Sequence, residues 1–390
     1  MIDMKIIIVC SNEYPTPPPD NVIHASLYIS AILAEGLAKK GYHITYVCAQ
    51  GSTIKTHKVY PRTLPFFEIV KQKEWKNLGN DRLREQLIVP FGIDLYLTFL
   101  ETIKKEKFDI AHFHPSPLLY ALPFALNTGL PNVFTLHDVS SPLELKVIET
   151  FNNENNFFIS ISDSQRKQFP VLKFFKTIYH GIPLKESYFD EKGGEAMVFT
   201  SRLKKIKGVE EAINVALKTK RRLKLSGDIR GSEKEYFYHT IKPLIDKSQG
   251  LVKFLYFVNR SMIPYFFAGG KLFIFPIQWE EPFGLVMIES MATGTPVVAF
   301  ARGSVPEVIK DGETGFIVNP SDDDIRGNFI IKKTGVEGLC EAVERIYSMP
   351  EDQYRKMRRA CREHVEKNFT VEKMVDEYEK VYEEIISQRK

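Results

Sequence analysis

The sequence predicts an α/β protein of two domains, each built on a parallel β-sheet that helices cover on both faces. Apolar runs of strand length alternate with segments of helical periodicity along most of the chain. A stretch rich in glycine, proline and charge at residues 181–194 interrupts this alternation, which then restarts. A chain of 390 residues also exceeds one average core, which again favours two domains.

The first domain is predicted over residues 1–180. Its first helix, Leu27–Lys40, follows from apolar residues at helical spacing and from Gly41, which ends it. A later helix begins at Ser162, because Gln165 follows at the spacing of a capping box. The predicted strands are Lys5–Cys10, Ile44–Cys48, Ile110–Phe113, Asn132–Leu136 and Phe157–Ile161. Ligands of such sheets bind at the carboxyl ends of the strands.

The remaining chain is predicted as a linker over 181–194, a second domain over 195–365 and a helix over 366–390. Apolar periodicity predicts helices at Val209–Lys218, Glu233–Asp246 and Leu285–Ala292, and helical structure from Val336 onward. The predicted strands are Ala196–Thr200, Arg222–Leu225, Val252–Phe257, Leu272–Phe275, Val297–Ala299 and Phe316–Val318.

Composition excludes several classes of protein. With 44% apolar and 26% charged residues the chain has ordinary globular usage, and its 53 basic and 49 acidic residues argue against a nucleic-acid partner. The four cysteines form no C-x-x-C pair, which argues against disulfide and zinc frameworks. The apolar start is too short for a signal peptide, and no apolar stretch reaches the ~18 residues of a membrane span. We therefore expect a cytoplasmic protein.

One segment leaves a membrane contact open. Lys55–Lys76 combines six basic and two acidic residues with four aromatic ones. It could form a lid that faces a membrane or an acceptor. We favour an irregular insertion instead, so peripheral membrane contact is the less favoured alternative.

The most informative segment is Pro276–Val318. Two carboxylates, Glu281 and Glu289, are separated by seven residues, and a tight loop at 282–284 leads from Glu281 into the helix that carries Glu289. The loop glycine lets backbone approach a ligand closely, and the first helical amides are unpaired. With the helix dipole they form a site for an anion or for sugar hydroxyls. The amides in question belong to Gly284, Leu285 and Val286.

This pattern resembles a known signature. Glu-x7-Glu is followed by Ala-x-Gly-Thr-Pro-Val-Val-Ala at 292–299 and by Gly-Ser-Val-Pro-Glu-Val-Ile-x-Asp-Gly-x-Thr-Gly-Phe at 303–316. Together they resemble the donor site of glycosyltransferase family 4, nearest to its small-molecule and antibiotic glucosyltransferase-like subgroup. The resemblance extends over nearly the whole chain through shorter motifs: Arg202-Leu…Lys207-Gly208, Leu225-Ser-Gly227-Asp228, Asp109-Ile-Ala-His112-Phe-His114 and Thr135-Leu-His137-Asp138.

The resemblance implies a fold and an activity. The fold is GT-B, with two Rossmann-like domains facing a central cleft and the C-terminal helix crossing back to the N-terminal domain. The implied reaction is retaining transfer of a hexose from a nucleotide sugar, with UDP-glucose as the first expected donor and GDP-mannose as the second. The acceptor would be a hydroxyl of a small molecule, a glycan or a lipid-linked compound. A front-face mechanism would need no metal and no cofactor.

The resemblance also implies residue roles. Arg202 and Lys207 would bind the diphosphate, Glu281 the sugar hydroxyls and Glu289 the ribose, and His137 would contact the sugar at the anomeric centre. The expected catalytic residues are therefore His137, Glu281, Arg202 and Lys207. The expected donor-binding residues are Arg202, Lys207, Gly227, Val258, Glu281, Phe283, Gly284, Leu285, Val286 and Glu289. The acceptor side would include His24, His112 and His114.

The chain departs from the family pattern at several positions. No glycine pair follows the proline-rich loop, where Asp20–His24 stands instead, and His24 could replace it as a polar contact. Tyr256 replaces a usual glycine, and His180 replaces a usual asparagine. His112 and His114 share one strand face, which leaves a metal pair, a cleft lining and core packing all open.

Two other functions stay open at this point. One is a non-catalytic nucleotide-sugar-binding protein of the same fold, which the missing glycine pair makes conceivable. The other is a phosphorylase-like enzyme, which would use phosphate as co-substrate.

Overall fold

A computed structural model describes residues 4–70, 80–115, 118–126, 128–229 and 233–389. The chain forms two compact units, of which the first comprises Met1–Gly181 with Val371–Lys390 and the second comprises Ile182–Thr370. Residues 182–194, predicted as a linker, lie in the second unit, as do residues 366–370. The amide of Ile182 donates to the carbonyl of Phe369 at 2.9 Å, which ties the start of that unit to its end.

The first unit is organised by a seven-stranded parallel sheet. Its strands are β1 Lys5–Val9, β2 His43–Cys48, β3 Lys58–Pro61, β4 Ile110–Phe113, β5 Asn132–Thr135, β6 Asn156–Ser160 and β7 Phe174–Thr177. They run in the order β3-β2-β1-β4-β5-β6-β7. Phe113, Phe134 and Phe158 stack across three neighbouring strands at 5.0 and 5.4 Å and build the core on one face.

Helices surround this sheet: α1 Ala25–Lys39, α2 Phe66–Val70, α3 Asn80–Lys105, α4 Leu118–Ala125, α5 Pro142–Phe151 and α6 Asp163–Arg166. The segment Lys55–Lys76 is not an irregular insertion where it is described, because it supplies β3 and α2. Residues 71–76 of that segment lie outside the described residues, and so does any lid that they would form. The sequence missed β3 because this strand has exposed ends and half-buried central residues at the edge of the sheet, so it carries little apolar pattern.

The second unit contains a six-stranded parallel sheet in the order β10-β9-β8-β11-β12-β13. Its strands are β8 Met197–Arg202, β9 Leu223–Asp228, β10 Val252–Phe254, β11 Phe273–Phe275, β12 Val297–Phe300 and β13 Gly315–Val318. The helices are α7 Val209–Thr219, α8 Glu233–Tyr236, α9 Lys242–Lys247, α10 Ile263–Ala268, α11 Leu285–Ala292, α12 Val305–Val308, α13 Gly335–Tyr347 and α14 Glu351–Asn368. A π-helical turn at Phe237–Ile241 divides the helix predicted over Glu233–Asp246.

The last helix, α15 Val371–Ser387, belongs to the first unit. Its Tyr382 hydroxyl lies 2.6 Å from His112 Nδ1, and its Tyr378 hydroxyl lies 2.7 Å from the Thr135 hydroxyl. His112 Nε2 completes the network at 2.8 Å from Thr135. These buried hydrogen bonds fix α15 to β4 and β5. No helix in the described ranges is long and apolar enough to cross a membrane.

Candidate active site

In the second unit, the candidate site begins at the carboxyl ends of β8 and β9. Arg202 ends β8 and is paired in register with Asp228. Its side chain is exposed and has no hydrogen-bond or ion-pair partner among the described residues. Arg202 thus offers an uncompensated cation at the sheet edge where ligands of parallel sheets bind.

Lys207 reaches the site through a turn that only glycine permits. Gly208 adopts a φ of 77°, and an added Cβ would collide with the carbonyl of Pro276. The amide of Gln278 donates to the carbonyl of Ile206 at 2.9 Å. The turn is therefore packed directly on the segment that carries Glu281.

Lys207, Glu281 and Trp279 form one cluster. Lys207 Nζ lies 2.8 Å from Glu281 Oε2, and the Trp279 indole N–H donates to the same oxygen at 2.9 Å. Lys207 Nζ also lies 4.7 Å from the centre of the Trp279 ring. Glu281 Oε1 has no partner in the described part of the chain, so this oxygen remains available to a hydroxyl donor.

The loop after Glu281 leads into α11 as predicted. Gly284, with a φ of 75°, precedes the helix, and no side chain caps the first turn containing Leu285 and Val286. Phe283, expected among the donor-binding residues, can offer only its backbone there, because its side chain points into the core. Its ring is buried, with its centre 5.9 Å from that of Phe369, and its carbonyl accepts from the Ser304 hydroxyl.

A second loop supports Glu281 from behind. The amide of Ser304 donates to the Glu281 carbonyl at 2.9 Å, and the amide of Gly303 donates to Glu280 at 2.7 Å. Gly303 packs so closely that an added Cβ would collide with the Glu281 backbone. Glu280 in turn pairs with Arg302 and Arg326. This charge network holds the backbone on which Glu281 is mounted.

Glu289 lies on α11 and is only 16% exposed at its side chain. Arg260 Nη2 lies 3.3 Å from its Oε1, a long ion pair that keeps the carboxylate in place. The sequence assigned no role to Arg260. A partly buried carboxylate held in this way suits a pair of vicinal hydroxyls.

The loop that follows β10 is held by β9. The Ser226 hydroxyl donates to the Tyr256 carbonyl at 2.8 Å and accepts from the Val258 amide at 3.2 Å. The Gly227 amide also donates to the Tyr256 carbonyl. The amides of Gly227 and Val258 are therefore already engaged within the protein, so the predicted donor contacts of these two residues would have to come from their other backbone atoms.

In the first unit, four histidines stack near the carboxyl ends of their strands. Ring centres are 4.3 Å apart for His112 and His114, 5.2 Å for His114 and His137, and 5.1 Å for His137 and His180. Burial lowers the pKa of His112 to about 3 and that of His137 to about 4, and those of His114 and His180 well below the usual value. All four rings are neutral at physiological pH.

The predicted acceptor-side histidines have different surroundings. His112 is fully buried and both its ring nitrogens are engaged by Thr135 and Tyr382, so it cannot contact an acceptor. His24 caps the N-terminus of α1, where its Nδ1 accepts from the Leu27 amide at 3.4 Å. Burial is the largest cause of the low pKa of His137, the Asp138 carboxylate raises this pKa, and the charge of His24 lowers it.

The sequence missed Trp279, Arg260 and His180 as site residues. Trp279 lies inside the donor signature, and the departure at His180 was visible, but neither contact could be inferred without the fold. In the described ranges, no group of three or more His, Cys, Asp or Glu residues is arranged to hold a metal ion.

Comparisons with known families agree with this geometry. A model described as Glycosyltransferase Family 4 matches residues 31–186, and a model described as Glycosyl transferases group 1 matches residues 184–328. The chain is 24% identical to N-acetyl-alpha-D-glucosaminyl L-malate synthase of Bacillus anthracis, over 98% of this chain and 97% of that protein. It is 25% identical to O-antigen chain mannosyltransferase B of Escherichia coli over 56% of each chain.

Solved structures show the same fold. Sucrose-phosphate synthase from Thermosynechococcus elongatus superposes with a TM-score of 0.75 at 19% identity, over 99% of this chain and 100% of that one. Anabaena Alr3699/HepE in complex with UDP and glucose gives 0.70 at 19% identity, over 97% and 99%. The two family models together span residues 31–328, and the chain therefore belongs to glycosyltransferase family 4, the retaining hexosyltransferases of the GT-B fold.

Proposed function

We propose that this glycosyltransferase moves a hexose from a nucleoside diphosphate sugar to a hydroxyl acceptor with retention of configuration. The first donor is UDP-glucose and the second is GDP-mannose. The observation that carries the proposal is that one unit contains both Arg202, a cation without an ion-pair partner among the described residues, and the Lys207–Glu281–Trp279 cluster. This arrangement provides positive charge for a diphosphate and an ordered carboxylate for a sugar.

The charges match the changes that occur during transfer. As the bond between the anomeric carbon and the diphosphate breaks, negative charge grows on the leaving phosphate oxygen. Arg202 and Lys207 stabilise that charge, and the lysine ammonium keeps donors to spare beside its bond to Glu281. With two cations at the diphosphate, the reaction proceeds without a metal.

The remaining groups hold the substrate. Glu281 Oε1 and the uncapped amides at the start of α11 bind sugar hydroxyls, and Glu289 binds the ribose. The acceptor oxygen attacks the anomeric carbon on the face that the diphosphate leaves. Its proton passes to the leaving phosphate oxygen, so no side chain has to act as a base.

Relatives support the choice of substrates. The Anabaena structure contains UDP and glucose, and the E. coli relative is a mannosyltransferase. The Bacillus anthracis relative is named as a synthase of N-acetyl-alpha-D-glucosaminyl L-malate, a glycoside of a small molecule. This supports a small-molecule acceptor here.

Ligand binding tests the proposal directly. Thermal unfolding and calorimetry with UDP, GDP, ADP and TDP, each with and without Mg²⁺, should give one clear diphosphate that raises the melting temperature without metal. Release of that diphosphate from its glucose or mannose ester is then measured with a panel of hydroxyl acceptors. Binding without turnover would favour the non-catalytic alternative, and phosphate-dependent turnover would favour a phosphorylase. No binding by any nucleotide would refute the donor site.

A further inference from the structure

The first unit contains a hydrogen bond between two imidazole rings. His114 Nδ1 lies 2.9 Å from His137 Nε2. Both rings are neutral at physiological pH, so each carries one N–H and one bare nitrogen. One ring must donate and the other must accept, and the direction of this bond fixes the tautomer of both.

The surroundings of His114 decide that direction. Its ring is fully buried, and its Nε2 has no hydrogen-bond partner among the described residues. If His137 donated, the single proton of His114 would lie on Nε2, a buried N–H without an acceptor. If His114 donates from Nδ1, its Nε2 is only an unshared lone pair. A buried N–H group without an acceptor is rarer in proteins than a buried acceptor without a donor, so His114 is the donor.

The direction of this hydrogen bond also determines where the proton of the partly exposed His137 ring lies. His137 accepts at Nε2, so its proton lies on Nδ1. In the described part of the chain, His137 Nδ1 has no protein partner. His112 does not compete for either ring, because both its nitrogens are taken by Thr135 and Tyr382.

We propose that His114 is a positioning residue that fixes His137 in its Nδ1–H tautomer, so that His137 presents a neutral hydrogen-bond donor to an oxygen of a ligand bound at the carboxyl end of β5. Only the identity of that ligand rests on the proposed function, since the tautomer follows from the protein alone. In this state His137 offers no bare nitrogen to a substrate. It therefore binds and orients, and it does not remove the acceptor proton.

Nitrogen-15 NMR of the full chain labelled at histidine tests the tautomer without any activity. Correlations between ring nitrogens and ring carbon-bound protons distinguish a protonated from a bare nitrogen, and the His137→Gln variant identifies the signals of His137. At pH 7 we expect a protonated Nδ1 and a bare Nε2 for His137. A protonated Nε2 would overturn the proposal.

Variants test the consequence for transfer. His114→Asn keeps an N–H near the position of Nδ1, and we expect its kcat to stay within about twofold of the unmodified enzyme. His114→Asp offers only an acceptor, so we expect kcat to fall about tenfold or more with little change in KM. In a His137→Ala background the same aspartate should cause no further loss.

The outcomes separate this proposal from the proposed function. An equal loss from His114→Asp with and without His137 would show a merely structural role and overturn the inference. Should His114→Asp not fold, the NMR result on the unmodified protein decides. Absence of turnover with every nucleotide sugar would refute the proposed function and leave the tautomer standing.

Discussion

The candidate sites of the two units differ in how their polar groups are stabilised. In the second unit, Lys207 and Glu281 are charged, partly exposed and joined by an ion pair. In the first unit, His114 and His137 are neutral, and burial keeps them so. Charged groups tolerate partial burial only when they are paired, whereas neutral rings can be packed against each other. This difference supports the proposed diphosphate site in the second unit and favours an uncharged ligand group at the histidines of the first.

The largest expected effect follows from removing the Glu281 carboxylate, which is proposed to bind the sugar in the charged site of the second unit. Glu281→Ala should lower kcat by about 100-fold or more, because the carboxylate that accepts hydrogen bonds from the sugar hydroxyls is lost, while UDP affinity changes little. Steady-state kinetics and calorimetry measure the two effects. Glu313→Gln, which removes an exposed carboxylate in the same unit, serves as the control. An unchanged rate in Glu281→Ala would contradict the assigned role.

The next effect concerns the uncompensated cation. Arg202→Gln should weaken UDP binding about tenfold, because a charge-assisted contact to the diphosphate is lost. Arg222 immediately precedes the amino end of β9, away from the carboxyl ends of the strands, and it pairs with Glu195. Arg222→Gln therefore provides a matched loss of one positive charge. Calorimetry with both variants would count against the diphosphate site if their dissociation constants were equal.

A smaller effect sharpens the role of Trp279. Trp279→Phe keeps a ring beside Lys207 and removes only the N–H that donates to Glu281, so kcat should fall about fivefold with UDP affinity preserved. In a Glu281→Gln background the substitution should have little further effect on kcat. An equal loss in both backgrounds would mean that Trp279 acts on something other than Glu281.

The smallest effect tests the neutral site through pH. The folded pKa of His137 is about 4, below its ordinary value near 6.5, so between these limits the unfolded chain binds more protons. The contribution to stability is full above about pH 6.5 and is lost as pH falls toward 4. The urea midpoint should therefore be lower at pH 5 than at pH 7.

His137→Gln should reduce this difference between the two midpoints, while His239→Gln, at an exposed position in the second unit, serves as the control. A midpoint difference that is identical in all three proteins would show that His137 is not part of the linkage.

Much of the charged site was predictable because it is local in sequence. Glu281, the loop at 282–284 and α11 form one continuous stretch, and the predicted helix Leu285–Ala292 has the bounds found in the structure. The burial of the Phe283 side chain could not be predicted, because a turn does not reveal which of its side chains points inward. The packing of Phe283 against Phe369 depends on a residue far along the chain.

The neutral site could not be predicted in the same way. His114, His137 and His180 follow three different strands, and their stacking exists only once β4, β5 and β7 lie in one sheet. His112 lay in the same motif as His114, yet it is bonded to a tyrosine of α15 and cannot reach a ligand. No local pattern distinguishes these two neighbours.

The sequence by itself determined the fold class, the two parallel sheets and the donor signature, because apolar runs and a contiguous loop-helix segment are local properties of the chain. Only the tertiary structure decided which imidazoles are neutral, which oxygen of Glu281 is open and which amides are already engaged. The physical reason is that burial and hydrogen-bond partners are set by residues distant in sequence, and these determine protonation and availability.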